Sequence, residues 1–207
     1  MTPTQPDPET ARVAELNRKT RETDIRLRLD LDGTGTSDIR TGVPFFDHML
    51  DQLARHGLFD LSLTCTGDLE VDPHHTVEDC GRLLGKAFDQ ALGSREGIRR
   101  MGDALVPMDE ALAQVAVDFS GRGFCAASIG SAGSDGGGLP ATLLAHFLES
   151  FAGEARMTLH VRVMTGDNDH HQAEAVFKAL ARALCIAATR DPRRAGVLPS
   201  TKGTLTS

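Results

Sequence analysis

The sequence predicts an α+β fold made by internal duplication of a β-α-β-α half-domain, with sheets packed against helices. Three observations predict it. A Thr-Gly-Asp tripeptide followed by a His-His pair and a Glu three residues on occurs twice, as TGDLEVDPHHTVED at 66–79 and TGDNDHHQAE at 165–174. His48, Leu50, Ala54 and Leu61 recur 98 residues later as His146, Leu148, Ala152 and Leu159. The order of patterns, an alternating run, a helical stripe, a second alternating run and a long helix, is the same in both halves.

Each element has its own signal. Residues 1–12 are polar and Pro-rich and read as a disordered lead-in. Ile25, Leu27, Leu29 and Leu31 then alternate with charged residues, the period of a half-buried strand, and stop at the turn signal DGTG. Pro44 opens a helix whose apolar stripe is Phe46, Met49, Leu50 and Leu53, with Gly57 as its expected C-terminal cap. LFDLSLTC reads as the next strand, and the HHxxE at 74–78 starts a long helix. In the second half, Val115, Val117 and Phe119 alternate before SGRG, and LPATLLAHFLESFAG is the helix. RMTLHVRV is its strand, and the HHxxE at 170–174 opens the last helix. GSAGSDGGGLP reads as a surface loop inserted in the second copy. The expected organisation is one domain over 13–195 containing repeats at about 24–93 and 112–190, then an exposed tail over 196–207 that carries PSTKG.

Composition narrows the function. With 207 residues and 40% hydrophobic content the chain can bury a proper core. Its net charge of -7, without a long basic run, argues against general nucleic-acid binding. No apolar stretch is long enough to span a bilayer, so no membrane partner is expected. Cys65, Cys80, Cys125 and Cys185 are scattered without a CxxC, which points to a reducing, cytoplasmic setting.

Core packing explains the repeated leucines but not the histidines. Six of the eight, His48, His74, His75, His146, His170 and His171, occupy matching places in the two copies. Residues three apart share a helix face, so His75 is expected to point with Glu78 and His171 with Glu174. Adjacent histidines diverge by about 100°. The members of each pair are therefore expected to serve different metals, or metals in different subunits. Six His and two Glu divide into two sites of three His and one Glu, each with positions left open, the arrangement of a catalytic rather than a structural site. A nitrogen and oxygen set without thiolate suits Mn, Fe or Zn, and open octahedral positions favour Mn. Arg82 and Lys178 stand four residues beyond Glu78 and Glu174, either as helix salt bridges or as cations aimed into the site. Helical spacing also puts Gln52 beside His48.

From Arg18 to Lys202 these residues closely resemble one family, imidazoleglycerol-phosphate dehydratase. The resemblance is carried by RKTRETDI, LDLDGTG, TGVPFFDHMLDQLARHGLFDL, DPHHTVEDCGRLLGKAF, GIRRMG, ALVPMDEAL, GDNDHHQAEAVFKALARAL and PSTKG. It implies a lyase of L-histidine biosynthesis that removes water from imidazole glycerol phosphate to give imidazole acetol phosphate. It also implies two Mn2+ ions per active site, and trimers that assemble into a 24-subunit shell whose active sites are shared between subunits. Carried over residue by residue, the metal ligands are His48, His74, His75, Glu78, His146, His170, His171 and Glu174. Glu22 takes the catalytic acid/base place, with His75, His171 and Glu174 also catalytic. Gln52 resembles a substrate contact, and Arg100, Arg122, Lys178, Ser200 and Lys202 match substrate- and phosphate-binding positions. The segment SGRG stands where the family has SGRP, and Gly123 is expected to loosen the backbone that carries Arg122. Two rival chemistries use similar ligands. A di-metal phosphoesterase is disfavoured by the scarcity of Asp in the set, and a metal-buffering protein has no use for Arg122 or the basic tail.

Overall fold

In the computed structural model, residues 11–129 and 138–205 are described. They contain two four-stranded mixed sheets and four α-helices. The first half runs β1 (Val13–Lys19), β2 (Thr23–Asp30), β3 (Ser37–Arg40), α1 (Pro44–Gly57), β4 (Asp60–Gly67) and α2 (His74–Leu92). The second repeats it as β5 (Met101–Met108), β6 (Ala111–Asp118), β7 (Phe124–Ser128), α3 (Ala141–Glu154), β8 (Thr158–Thr165) and α4 (Asp169–Ala188). Strand orders are β1-β2-β4-β3 and β5-β6-β8-β7, so the two sheets share one topology. In each, the short third strand lies parallel to the fourth, and the 14-residue helix connects the two.

The α+β class and the duplication are as expected, but each half is longer than the repeat boundaries suggested. Four strands carry too little pattern to be read from sequence. β1 turns only Ala14 and Leu16 toward the core between charged or polar neighbours. β3 and β7 are four and five residues long. β5 contains Gly102 and Pro107, which normally argue against a strand, and it is tolerated here because β5 is a sheet edge. The first ten residues of the expected lead-in, and most of the expected Gly-rich loop, lie outside the described residues. Arg12, at the lead-in's end, is buried: its guanidinium pairs with Asp32 and donates to the carbonyl of Ala188 at the end of α4.

Sheets cover the outside and helices the centre. α2 lies on β1 and β2, and α4 lies on β5 and β6. The helices also pair across the halves, α2 with α3 and α1 with α4. A seam of phenylalanines locks this arrangement. The Phe147 ring of α3 meets Phe46 of α1 edge-on at 5.3 Å and stacks on Phe177 of α4 at 5.6 Å. Each such pair contributes about 0.5–1.5 kcal/mol beyond its buried area.

α1 ends differently from the expectation. Gly57 is its last helical residue, and the left-handed conformation falls on Leu58, with φ of 58°, whose N–H donates to the Ala54 carbonyl. Gly57 is needed for space instead. A Cβ there would lie 2.4 Å from the Phe59 ring and 3.3 Å from the Ala181 carbonyl oxygen of α4. No helix among the described residues is long and apolar enough to cross a membrane.

Candidate metal centre

Both His pairs sit in the first turn of a long helix, where side chains just before the helix accept their backbone N–H groups. The side chain of Asn168 accepts the N–H groups of His170 and His171 at 2.9 and 3.1 Å. At α2, the Asp72 carboxylate accepts the N–H of His74 at 2.7 Å. Adjacent rings then diverge as helix geometry requires, with planes 86° apart for His74 and His75 and 84° for His170 and His171.

One member of each pair joins a cluster. His74 and Glu78, one turn apart on α2, meet His146 of α3. His170 and Glu174, one turn apart on α4, meet His48 of α1. Within each cluster the candidate ligand atoms lie within 4.8 Å of one another. Nε2 of His48 and Nε2 of His170 both approach the same Glu174 oxygen, at 2.8 and 2.9 Å. Nε2 of His146 is buried without a hydrogen-bond partner, 3.5 Å from Glu78 Oε2. A buried, unpaired ring nitrogen facing a carboxylate fits a cation bound between them. Each cluster also draws its histidines from both halves, since the helices pair across the duplication.

The other member of each pair turns away. Nδ1 of His75 is 3.0 Å from Asp68 Oδ2, and its Nε2 is 3.9 Å from Glu22 Oε1. Nδ1 of His171 is 2.8 Å from Glu110 Oε2, and its Nε2 is 3.8 Å from Asp109 Oδ2. The expected pairing of His75 with Glu78 and of His171 with Glu174 therefore does not form. Residues three and four apart on a helix both share a face, and here the glutamates take the one four back. Within one chain each cluster has two His and one Glu, not three His and one Glu.

Charge follows this division. Burial alone would raise the Glu174 carboxyl, but hydrogen bonds from Lys178, His48 and His170 outweigh it and hold it at about 2. The hydrogen bond to Asp68 raises the His75 imidazole, and the one to Glu110 raises His171. His171 in turn lowers Glu110 to about 2.

Lys178 Nζ lies 2.6 Å from Glu174 Oε2, so it is both a helix salt bridge and a cation at the cluster. Arg82 sits 3.3 Å from Glu78 and is shared with Glu154. Gln52 is one turn past His48, and its Oε1 is 3.1 Å from Nε2 of His56. His56 was not anticipated. Its pKa is lowered by burial and then by Lys178 and Arg182, so it faces the same cationic group. The signal was available, because His48, Gln52 and His56 are spaced four apart on one helix stripe. Asp68 was legible too, inside the repeated tripeptide.

The remaining expected residues gather elsewhere. Arg100 grips Asp118 with two hydrogen bonds at 2.7 and 2.9 Å and donates to the Pro199 carbonyl at 2.8 Å. Its backbone N–H bonds to Ala187 at the end of α4. Ser200 Oγ donates to the Thr204 carbonyl and accepts the N–H of Lys202, so the tail forms a compact turn. From His170 to Ala187 along α4 is about 25 Å at 1.5 Å per residue. Arg100 and its tail thus sit at the opposite end of α4 from that chain's own cluster. Arg122 is exposed, and its Nη1 is 3.4 Å from the Ser120 carbonyl. Gly123, the residue after it, is a point of close approach. A Cβ on Gly123 would lie 2.8 Å from the backbone of Gly153 in α3, so the loop is pressed against that helix.

This arrangement can be set against known proteins. A family model described as imidazoleglycerol-phosphate dehydratase matches residues 41–184. The dehydratase of Dehalococcoides mccartyi strain CBDB1 is 58% identical over 196 residues, covering 95% of this chain and 98% of the relative. The chain belongs to the imidazoleglycerol-phosphate dehydratase family. The dehydratase of Methylibium petroleiphilum is 56% identical over 194 residues, covering 94% and 98% of the two chains. The crystal structure of the Pyrococcus furiosus dehydratase aligns with a TM-score of 0.79 at 35% identity, over 91% of this chain and 99% of that one. The Staphylococcus aureus N315 dehydratase aligns with a TM-score of 0.78 at 32% identity, over 86% and 99%. The chain is accordingly an enzyme of the carbon-oxygen lyase class.

Proposed function

We propose that this chain catalyses the manganese-dependent dehydration of imidazole glycerol phosphate to imidazole acetol phosphate in L-histidine biosynthesis. The observation that carries the reading is the pair of equivalent His, His and Glu clusters, each with a further histidine of the same sequence motif turned away from it. In this reading His48, His170 and Glu174 hold one ion, and His74, His146 and Glu78 hold the other. His75 and His171 complete clusters on neighbouring subunits, which is why they leave their own. The same sharing accounts for Arg100, Ser200 and Lys202 lying at the opposite end of α4 from the cluster that opens it, and Arg122 joins them in this reading. They serve the phosphate of a substrate bound at another subunit's clusters, with Gln52 and Lys178 contacting it from the cluster side. Trimers that build a 24-subunit shell meet this requirement, and the four free cysteines suit a cytoplasmic setting.

His48, His170 and Glu174, and His74, His146 and Glu78, would hold the manganese, which when bound would supply Lewis acidity toward the substrate's imidazole. The carboxylate of Glu22, carried beside His75, takes the proton from the carbon next to the one that loses its hydroxyl. One C–H and one C–O bond break, a C=C bond forms, water leaves, and the enol tautomerises to the ketone. Incubation with imidazole glycerol phosphate should release the ketone. Activity should vanish on chelation and return best with Mn2+. Absence of ketone, or indifference to chelation, would overturn the reading.

A further inference from the structure

Superposing the halves through their strands pairs β2 with β6, so that Thr23 corresponds to Ala111 and Glu22 to Glu110. Glu22 and Glu110 thus occupy equivalent places, each one residue before its strand and beside the outward histidine of its half. Their contacts differ. Glu110 binds Nδ1 of His171 at 2.8 Å, whereas Glu22 stays 3.9 Å from the far nitrogen, Nε2, of His75. In the first half the Nδ1 place is already taken by Asp68, from the Thr-Gly-Asp tripeptide. In the second half Glu110 holds that place instead, and Asp167 of the second tripeptide is exposed. The repeated tripeptide is therefore not a repeated function.

We infer that Asp68 and Glu110 are positioning residues for metal binding, and that Asp68 is what leaves Glu22 free to act on substrate. The inference rests on the reading of His75 and His171 as ligands completing neighbouring sites. Each carboxylate accepts the Nδ1–H of its histidine, which fixes the tautomer with an unprotonated Nε2 facing outward. Both residues are themselves anchored, Glu110 through its carboxylate and Asp68 through its backbone. The other oxygen of Glu110 accepts the N–H of Asn168, the residue that caps α4, at 3.1 Å. The N–H of Asp68 donates to the Glu22 carbonyl at 3.1 Å. One residue therefore sets both the His75 ring and the backbone of Glu22.

The test is a calorimetric titration of Mn2+ into the chelator-stripped full-length protein. Asp68→Ala and Glu110→Ala should each weaken about half of the ions bound by 10- to 100-fold, the loss typical of an outer carboxylate partner, and leave the other half as in wild type. Asp68→Asn and Glu110→Gln should recover part of it, because an amide oxygen still accepts the ring N–H. Asp167→Ala should titrate like wild type. Wild-type affinity in both alanine variants, or an equal loss in Asp167→Ala, overturns the inference. Unfolding of the metal-free variants separates misfolding from positioning: a lower melting temperature in the Asn and Gln variants with no change in Mn2+ affinity also counts against it. Should His75→Ala and His171→Ala leave the titration unchanged, the ligand reading itself fails. Loss in the histidine variants alone defeats only the positioning role.

Discussion

Beneath the two equivalent clusters the halves are built of different chemistry. Under α2, the Asp79 carboxylate accepts a hydrogen bond from Thr23 Oγ1 at 2.6 Å and pairs with Arg18, with Thr76, Cys65 and Cys80 buried nearby. Strand register and helix spacing put Val106, Ala111, Val163, Ala175 and Val176 at the matching places of the second half. Only Gln172, opposite Thr76, keeps a polar group, and its amide donates to the Gly166 carbonyl at 2.7 Å. One long helix is seated by an ion pair and a hydroxyl, the other by methyl groups. Both still present a histidine and a glutamate one turn apart to a histidine from the opposite half. The ligand geometry thus depends on helix phase and on the phenylalanine seam, while the material under each helix has been free to change.

The comparison breaks first at the ligands. If both clusters serve one substrate, His48→Ala and His146→Ala should each abolish ketone release, a loss of at least about 100-fold. Unequal losses in steady-state assays would mean that the two clusters do different work. Next is Glu22→Gln, which keeps size and hydrogen bonding but not basicity. Turnover should fall roughly 100-fold while substrate still binds, as equilibrium binding would register. Unchanged turnover would return Glu22 to a solvated surface charge.

Stability sharpens the contrast further. Asp79→Ala strands Arg18 and Thr23 and should cost about 3 kcal/mol in urea unfolding of the metal-free protein. Giving the first half the residues of the second, Arg18→Val with Thr23→Ala and Asp79→Ala, should recover most of that loss. A triple variant as unstable as the single one would mean that the polar seat is required by its half. The smallest effect concerns Asp32, whose carboxyl the Arg12 guanidinium holds below its ordinary value. A lowered folded-state pKa contributes stability that is full above the unfolded value of about 3.9 and is lost as pH falls through the folded one. Asp32 is half exposed, although Arg12 is buried, and the pair is worth about 1 kcal/mol. Wild type and Asp32→Asn should therefore differ by a constant small amount from pH 7 to 5 and converge in acid.

Much of this was legible in the chain. Strands that bury one face alternate clearly, as β2 does through Ile25, Leu27 and Leu29, and the duplicated histidines marked both clusters. Edge strands such as β1 and β5 were not, because half of their surface is solvated and their few core residues leave no period. The division of each His pair was anticipated from helix geometry. Which member joins its own cluster was not, since positions three and four away share a face and the partners of His75 and His171, Asp68 and Glu110, lie outside the helices.

Each cluster takes one histidine from one half and a His and Glu from the other. A half-length chain could build neither cluster alone. It could build both at once as a two-fold dimer, in which one self-complementary contact creates two identical sites. Joining the two copies in one polypeptide keeps both sites and removes the requirement that they be identical. In the proposed mechanism Glu22 and Glu110, equivalent in position and different in contact, use that freedom: a single chain can hold an acid/base on one side of its symmetry axis and a brace on the other.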